Sequence, residues 1–209
     1  MSSGMADGRD RVALAVAGVT ALALVARLVG LDARPFHWDE ARVGYWTLRY
    51  LETGAWSYRP VAGGPLLYHL GAVTMGLLGV SDAVARLPVA VAGGLLPLSA
   101  LLFRRRLDDI ETIALAVVLA ASPLLVYFSR GLRGDVLAAG LALVTLGALV
   151  RAYDGETGYA SLAGLSAAGA LAASGFAVAS PLAALLAGTV VIDHDRVAGR
   201  PAAARARVA

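Results

Sequence analysis

The sequence predicts an all-α, polytopic membrane protein, and three observations support that prediction. Hydrophobic residues make up 58% of the 209 positions and the mean hydropathy is +0.71, well above that of an ordinary soluble domain. The apolar residues form runs close to membrane length. The charged residues lie mostly between those runs, and the net charge of +3 is too small to indicate a nucleic-acid partner. The absence of cysteine excludes disulfides and thiolate metal sites.

The first apolar run covers 12–31 and follows Arg9 and Arg11. A signal peptide is the competing interpretation, but its apolar core is usually shorter, and no clear small-residue cleavage site follows this run. An uncleaved spanning helix is therefore favoured. The preceding arginines place the N-terminus in the cytoplasm by the positive-inside rule.

Five further apolar runs follow a polar stretch at 32–62, and they cover 64–80, 87–103, 113–128, 136–150 and 159–192. The last run is too long for one ordinary span. Ser174-Gly175 near its middle indicates a tight hairpin between two short helices.

The arginines decide between two topologies. If 64–80 crossed the membrane, Arg104–Arg106 would lie outside, against the positive-inside rule. We therefore expect six crossings plus a juxtamembrane segment, with seven crossings as the alternative. This predicts a transmembrane domain at 1–192 with a first external loop and juxtamembrane segment at 32–86. It also predicts a cytoplasmic arginine-rich tail at 193–209, and a multi-pass protein of the plasma membrane with both termini cytoplasmic.

This topology places the 32–62 and 129–135 loops on the same external face, where they can converge. In the first loop, Asp39 and Glu40 are adjacent. On a regular helix their side chains would point about 100° apart, so they cannot both coordinate one ion. We expect Asp39 at the helix start, free to face a substrate or metal. The alternative is that Asp39 caps a helix at 40–52. His37, beside the acids, is a further candidate.

Aromatic residues in this loop favour the membrane–water boundary. Val43, Trp46 and Tyr50 would share one helix face, with Arg42 and Arg49 on a neighbouring face. Such a helix suits a lipid-phosphate substrate, and plain aromatic anchoring with solvated arginines is the alternative.

The second external loop carries Arg130, Arg133 and Asp135 directly before the run at 136–150. Asp135 is either a site residue or the N-cap of the following helix. Arginines in a short external loop run against the charge rule, which indicates an anionic partner such as phosphate. His69 is expected to be a packing or interfacial residue, and the glycines in the apolar runs are explained by close helix packing.

Several motifs together carry a resemblance to a known family: FHWDEARVGYW from Phe36, then YRP, GGPLLYHL, SDAVARLP and FSRGLRGDVLAA. They resemble the GT-C superfamily of polytopic glycosyltransferases. More narrowly, they are similar to archaeal flippase-associated proteins related to dolichyl-phosphate-mannose–protein mannosyltransferases. The resemblance covers residues 10 to about 192, the N-terminal half of the usual GT-C fold.

The resemblance implies a hexosyltransferase that takes a sugar from a polyprenyl-phosphate donor at the external face, in cell-surface glycan and glycoprotein assembly. It assigns catalysis to Asp39, Glu40 and Asp135, with a divalent cation, Mg or Mn, on Asp39 and Asp135. The donor phosphate would meet Arg130 and Arg133, and also Arg42 on the arginine face described above. His37, Trp38, Trp46 and Tyr50 would contact acceptor or lipid.

The chain departs from this family at two places. Gly63-Gly64-Pro65 stands where relatives usually have His-Gly-Pro, and Ala173–Phe176 stands where they carry a lysine suited to a phosphate contact. The alternative function is therefore a non-catalytic membrane protein that binds polyprenyl-phosphate-linked glycans or helps translocate them. Expected partners are the lipid-linked sugar, membrane lipids, and a second chain that supplies the missing half or a flippase. A small transporter is the weakest alternative, because the spans are almost free of charge.

Overall fold

The computed structural model describes residues 2–55 and 63–174, with side chains from residue 11 onward. These residues belong to the first of two units into which the chain divides, Met1–Ala177. No strand occurs in them, which confirms the predicted all-α fold. The helices are α1 Ser2–Leu28, α2 Trp38–Thr53, α3 Pro65–Leu78, α4 Asp82–Leu95 continued by a 3₁₀ helix Leu96–Phe103, α5 Asp109–Ala121, α6 Pro123–Ser129, α7 Gly134–Tyr153 and α8 Tyr159–Ala173.

Three helical segments are long and apolar enough to cross a membrane: Arg11–Leu28, Asp82–Phe103 and Gly134–Tyr153. Helices α5 and α6 make a fourth span if the pair, bent by 50°, is counted as one. These four match the predicted runs at 12–31, 87–103, 136–150 and 113–128. The predicted hairpin at Ser174-Gly175 and the tail at 193–209 lie outside the described residues, and α8 covers only the first part of the run at 159–192.

The segment between the first two spans starts and finishes at one end of the helix bundle. Arg86, in the second turn of α4, donates a hydrogen bond of 2.8 Å to the Leu31 carbonyl just after α1. Helix α3 has 14 residues and rises about 21 Å, too short for a hydrocarbon core of about 30 Å. Both observations favour the juxtamembrane placement of 64–80 over a seventh crossing. We call this end of the bundle the Glu40 end.

The opposite end is held by ion pairs between two loops. Arg106 pairs with Asp154, and Arg105 reaches Glu156 at 2.7 Å. Arg151 also reaches Glu156, at 2.9 Å. We call this end the Asp154 end. The charge rule predicts that it faces the cytoplasm.

Glycines let the helices approach closely, as the sequence predicts. A Cβ on Gly134 would lie 2.1 Å from the Ala173 carbonyl oxygen, and one on Gly64 would lie 2.0 Å from the Ala172 oxygen. The Gly64 N–H donates to the Ala173 carbonyl at 2.7 Å. The end of α8 is thereby packed against the starts of α3 and α7, and any side chain at these positions would force them apart.

The spans contain more buried charge than the sequence suggests. Arg27 in α1 and Arg86 in α4 are both fully buried. Burial of an ionised group is tolerated when its donors find acceptors, and every guanidinium nitrogen of both arginines donates at least one hydrogen bond. Both buried arginines lie near the Glu40 end, Arg27 inside the predicted run at 12–31 and Arg86 directly before the run at 87–103.

Candidate functional site

The start of α2 sets the orientation of the two adjacent acids. His37 is the N-cap, and its Nδ1 accepts from the Asp39 N–H at 3.4 Å, while the Glu40 carboxylate accepts from the His37 N–H at 2.9 Å. This is a capping box, and it satisfies N–H groups that a helix start leaves without partners. Asp39 is thus not the cap of a helix at 40–52, because the helix begins earlier. Its carboxylate is about one third exposed and stays available to a ligand.

Glu40 points the other way and is almost fully buried. Arg86 binds both of its carboxylate oxygens, with Nε 2.9 Å from Oε1 and Nη2 3.1 Å from Oε2. The Leu132 N–H donates to Oε1 at 2.8 Å. Burial raises the pKa of the Glu40 carboxyl. The hydrogen bonds from Arg86, His37 and Leu132 outweigh burial, so its pKa lies below the usual range. Glu40 is therefore a buried anion with its acceptors occupied.

The guanidinium of Arg86 joins α4 to the segment between α1 and α2. Besides Glu40 it donates to the carbonyls of Leu31 at 2.8 Å, Arg34 at 3.0 Å and Pro35 at 3.2 Å. Its Cζ lies 4.8 Å from the centre of the Phe36 ring. Sequence reasoning assigned Arg86 no role; the signal that could have identified it is its place in the SDAVARLP motif, directly before the apolar run at 87–103.

Arg133 brings the two predicted site loops together. Its Nη1 lies 3.6 Å from Asp39 Oδ2, and its Nε donates to Asp135 Oδ2 at 3.0 Å. Each of the three side chains is about one third to one half exposed. Asp135 lies in the first turn of α7, where Arg133 holds the N-cap position without a side-chain cap bond. Asp135 is therefore no N-cap, and both acids are held in an open cluster with one arginine between them.

Of the other residues predicted to contact phosphate, acceptor or lipid, some are exposed beside the site and others pack against the core. His37 is exposed, with Nδ1 3.9 Å from Asp39 Oδ2, and Trp38 is 70% exposed. Arg42 is exposed and makes no ion pair within the described ranges. Trp46 packs partly buried against the core, and the Tyr50 ring meets the His69 ring edge-on at 5.7 Å.

The outward face of α2 differs from the predicted aromatic face. Val43 is fully buried, so the Val43–Trp46–Tyr50 face turns inward. Trp38, Arg42, Tyr45 and Arg49 are exposed, and their spacing puts them on one helix stripe.

Arg130 lies away from the acid cluster. Its Nη1 donates to the carbonyls of Ala26 at 2.7 Å and Val29 at 2.9 Å, and its Nη2 donates to that of Gly30 at 2.9 Å. These carbonyls belong to the end of α1, where a helix leaves acceptors without partners. Arg130 thus caps a helix, whereas the sequence predicts a phosphate contact for it.

The described part of the chain contains no group of three histidine, aspartate or glutamate side chains able to hold a metal ion. Asp39 and Asp135 supply two carboxylates around Arg133. Magnesium often binds through one or two carboxylates and completes its shell with water and phosphate. The donor set therefore fits such an ion, and the divalent cation stays a prediction.

No curated protein and no solved structure matches this chain. A family model described as dolichyl-phosphate-mannose-protein mannosyltransferase matches residues 59–203, well over half of the chain. The match contains Arg86, Arg133 and Asp135, while Asp39 and Glu40 lie before it. It agrees with the apolar helices, which make this a membrane protein. The chain belongs to the dolichyl-phosphate-mannose-protein mannosyltransferase family.

Proposed function

We propose that this protein is a membrane glycosyltransferase of GT-C type that transfers a sugar from a polyprenyl-phosphate donor at the Glu40 end of its helix bundle. The observation that carries the proposal is the meeting of Asp39 and Asp135 at Arg133, from loops almost a hundred residues apart in sequence. Membership of the family supports the reaction class.

The reaction replaces one bond at the anomeric carbon of the sugar by another. The acceptor hydroxyl oxygen attacks this carbon, the bond from carbon to phosphate oxygen breaks, and polyprenyl phosphate leaves with the electron pair. Asp39 takes the hydroxyl proton, because it is exposed and unused by the helix cap. Asp135 accepts a hydrogen bond of 3.0 Å from Arg133, and this bond orients the guanidinium and offsets part of its positive charge.

Arg133 is the donor-phosphate contact in this proposal. A guanidinium binds phosphate oxygens in the same forked manner as carboxylates, so a phosphate can share Arg133 with the acids and gain charge stabilisation as the bond breaks. Arg42, exposed one turn beyond Trp38, supplies a second positive charge. His37 and Trp38 line the approach of acceptor or lipid. Trp46 and Tyr50 act indirectly by packing α2 in place.

The alternative role of Asp39 is to hold a divalent cation, Mg or Mn, together with Asp135. When bound it supplies positive charge beside the donor phosphate. Glu40 differs from these acids because Arg86 and backbone N–H groups occupy its oxygens. We assign Glu40 a positioning role in place of proton transfer.

The wider role is proposed on the resemblance alone. It comprises cell-surface glycan or glycoprotein assembly at the external face of an archaeal plasma membrane, alongside a flippase or a second chain.

The test is transfer of radiolabelled sugar from a polyprenyl-phosphate donor in membranes that contain this chain. Asp39→Asn keeps the size of the side chain and removes the base, so transfer is expected to vanish. Asp32→Asn, at an exposed aspartate nearby in the same loop, is the matched control and should stay active. A fully active Asp39→Asn variant would remove Asp39 from the mechanism. Donor binding without any transfer by the wild type would instead favour the non-catalytic carrier of lipid-linked glycans.

A further inference from the structure

Helices α5 and α6 meet at a bend of 50° next to Pro123. Proline has no N–H, so the carbonyl four residues earlier, that of Leu119, cannot receive its usual helix hydrogen bond. Regular bonding is retained just before and after the bend, from the Ser122 N–H to Val118 at 3.0 Å and from the Val126 N–H to Ser122 at 2.9 Å. The bend therefore leaves acceptors inside an apolar region, where each would be costly without a donor.

Arg27 of α1 supplies those donors. Its Nη2 donates to the Leu119 carbonyl at 3.2 Å, and its Nη1 to the Ala120 carbonyl at 3.1 Å. Its Nε donates to the Ser129 hydroxyl at 3.0 Å, at the last residue of α6. One fully buried guanidinium thus bonds to the residues before the bend and to the far end of the short helix after it. This fixes both arms of the bend relative to α1.

Arg130 makes the reciprocal connection. It directly follows α6 and donates to the carbonyls at the end of α1, including that of Arg27 itself at 3.2 Å. Arg27, near the end of α1, therefore bonds to the last residue of α6, and Arg130, just after α6, bonds to the end of α1. We call Arg27 and Arg130 the arginine clasp. Two residues beyond Arg130, Leu132 donates its N–H to Glu40, and Arg133 reaches Asp39 and Asp135.

We infer that the arginine clasp is a positioning device for the 130–133 loop, and that Arg27 acts on the site through it. The role of Arg133 in donor binding rests on the proposed function, but the positioning of its loop does not. Bonds from Arg27 to Leu119, Ala120 and Ser129 fix where α6 ends, and Arg130 fixes where the loop leaves it. Arg133 is then close enough to bridge the two acids.

Hydrogen–deuterium exchange of the purified full chain in lipid nanodiscs tests this inference without any sugar transfer. Arg27→Met removes all donors, and exchange in the 130–133 loop is expected to become at least about tenfold faster, because the Leu132 N–H loses its fixed acceptor geometry. Exchange in the 104–108 loop at the Asp154 end should stay within about twofold. The matched control, Arg49→Met, removes an exposed arginine and should change neither loop.

Ser129→Ala is the milder variant should Arg27→Met not fold, and it is expected to speed exchange in the loop about threefold through the loss of one acceptor. Unchanged exchange in the folded Arg27 variant, or in Ser129→Ala if that variant must replace it, would overturn the inference. So would an equal rise at both ends of the bundle.

These results separate the two proposals. Loop exchange that behaves as expected in a chain with no transferase activity would retain the clasp and reject the enzymatic role. Full transfer activity with unchanged loop exchange in Arg27→Met would retain the enzymatic role and reject the clasp.

Discussion

Replacement of Glu40 by glutamine is the most informative perturbation of the buried ion pair. The change keeps the shape of the side chain but removes the charge that faces Arg86. One amide oxygen remains for the donors that now face two: the Arg86 guanidinium, the Leu132 and His37 N–H groups, and Arg34 Nη1 at 3.4 Å. The new NH₂ group takes the place of the other carboxylate oxygen, so it faces an N–H donor of Arg86 and cannot accept its hydrogen bond. Breaking one partner of a buried pair costs about 3–5 kcal/mol, since it leaves the other charge uncompensated.

The assay is thermal unfolding in detergent across a pH series. The folded-state pKa of Glu40 is depressed, so its contribution to stability is present above the unfolded value of 4.5 and is lost as pH falls through the lower folded value. Wild-type stability should therefore drop below about pH 4.5, and Glu40→Gln should lack that part of the drop.

A matched control exists in the second capping box. Glu111 holds the same position after the Asp108 cap of α5 but is exposed and has no buried arginine. Glu111→Gln should cost less than about 0.5 kcal/mol. The reasoning would be refuted if Glu40→Gln lost no more stability than Glu111→Gln at pH 7. A paired Glu40→Leu/Arg86→Met variant should not recover the loss, because the carbonyls held by Arg86 and the two N–H groups held by Glu40 would lose their partners.

Two further predictions concern the site and its packing. Arg133→Ala should weaken binding of polyprenyl phosphate in nanodiscs by about tenfold, the loss of one charge-assisted contact, while membrane insertion is unchanged. Arg49→Ala is the control, and equal affinities for the two variants would remove Arg133 from phosphate binding. Gly134→Ala should lower stability by about 1–3 kcal/mol, because its methyl meets the carbonyl at the end of α8. Gly18→Ala, inside α1 with open space around it, should cause no loss of stability, and a melting temperature of Gly134→Ala equal to that of Gly18→Ala would contradict this packing argument.

The periodic and charge patterns predicted the larger part of the fold. Four predicted runs appear as three long helices and one bent pair, because a run of apolar residues in a membrane must satisfy its backbone internally as a helix. Convergence of the first and second predicted loops on one end also follows from the order of the crossings. These features depend on local composition and on crossing number, and both can be read from the chain.

Individual roles at the site were less predictable. Asp39 and Glu40 are neighbours of equal chemistry, and only the capping box at His37 turns one outward and the other toward Arg86. Arg130 and Arg133 stand three residues apart, yet one caps α1 and the other joins the acids. Sequence spacing cannot tell which member of such a pair is buried and which is exposed, because the residues they contact lie tens of residues away in the chain.

The sequence by itself determined a helical membrane protein whose candidate site residues lie in two loops on one face, because hydropathy and charge act locally along the chain. Tertiary structure decided which charges are buried. Arg27 and Arg86 are stable inside the bundle only because the bend at Pro123, the end of α1 and the Glu40 carboxylate present acceptors at hydrogen-bonding distance. The same long-range contacts leave Asp39, Arg133 and Asp135 at the surface, where a ligand can reach them.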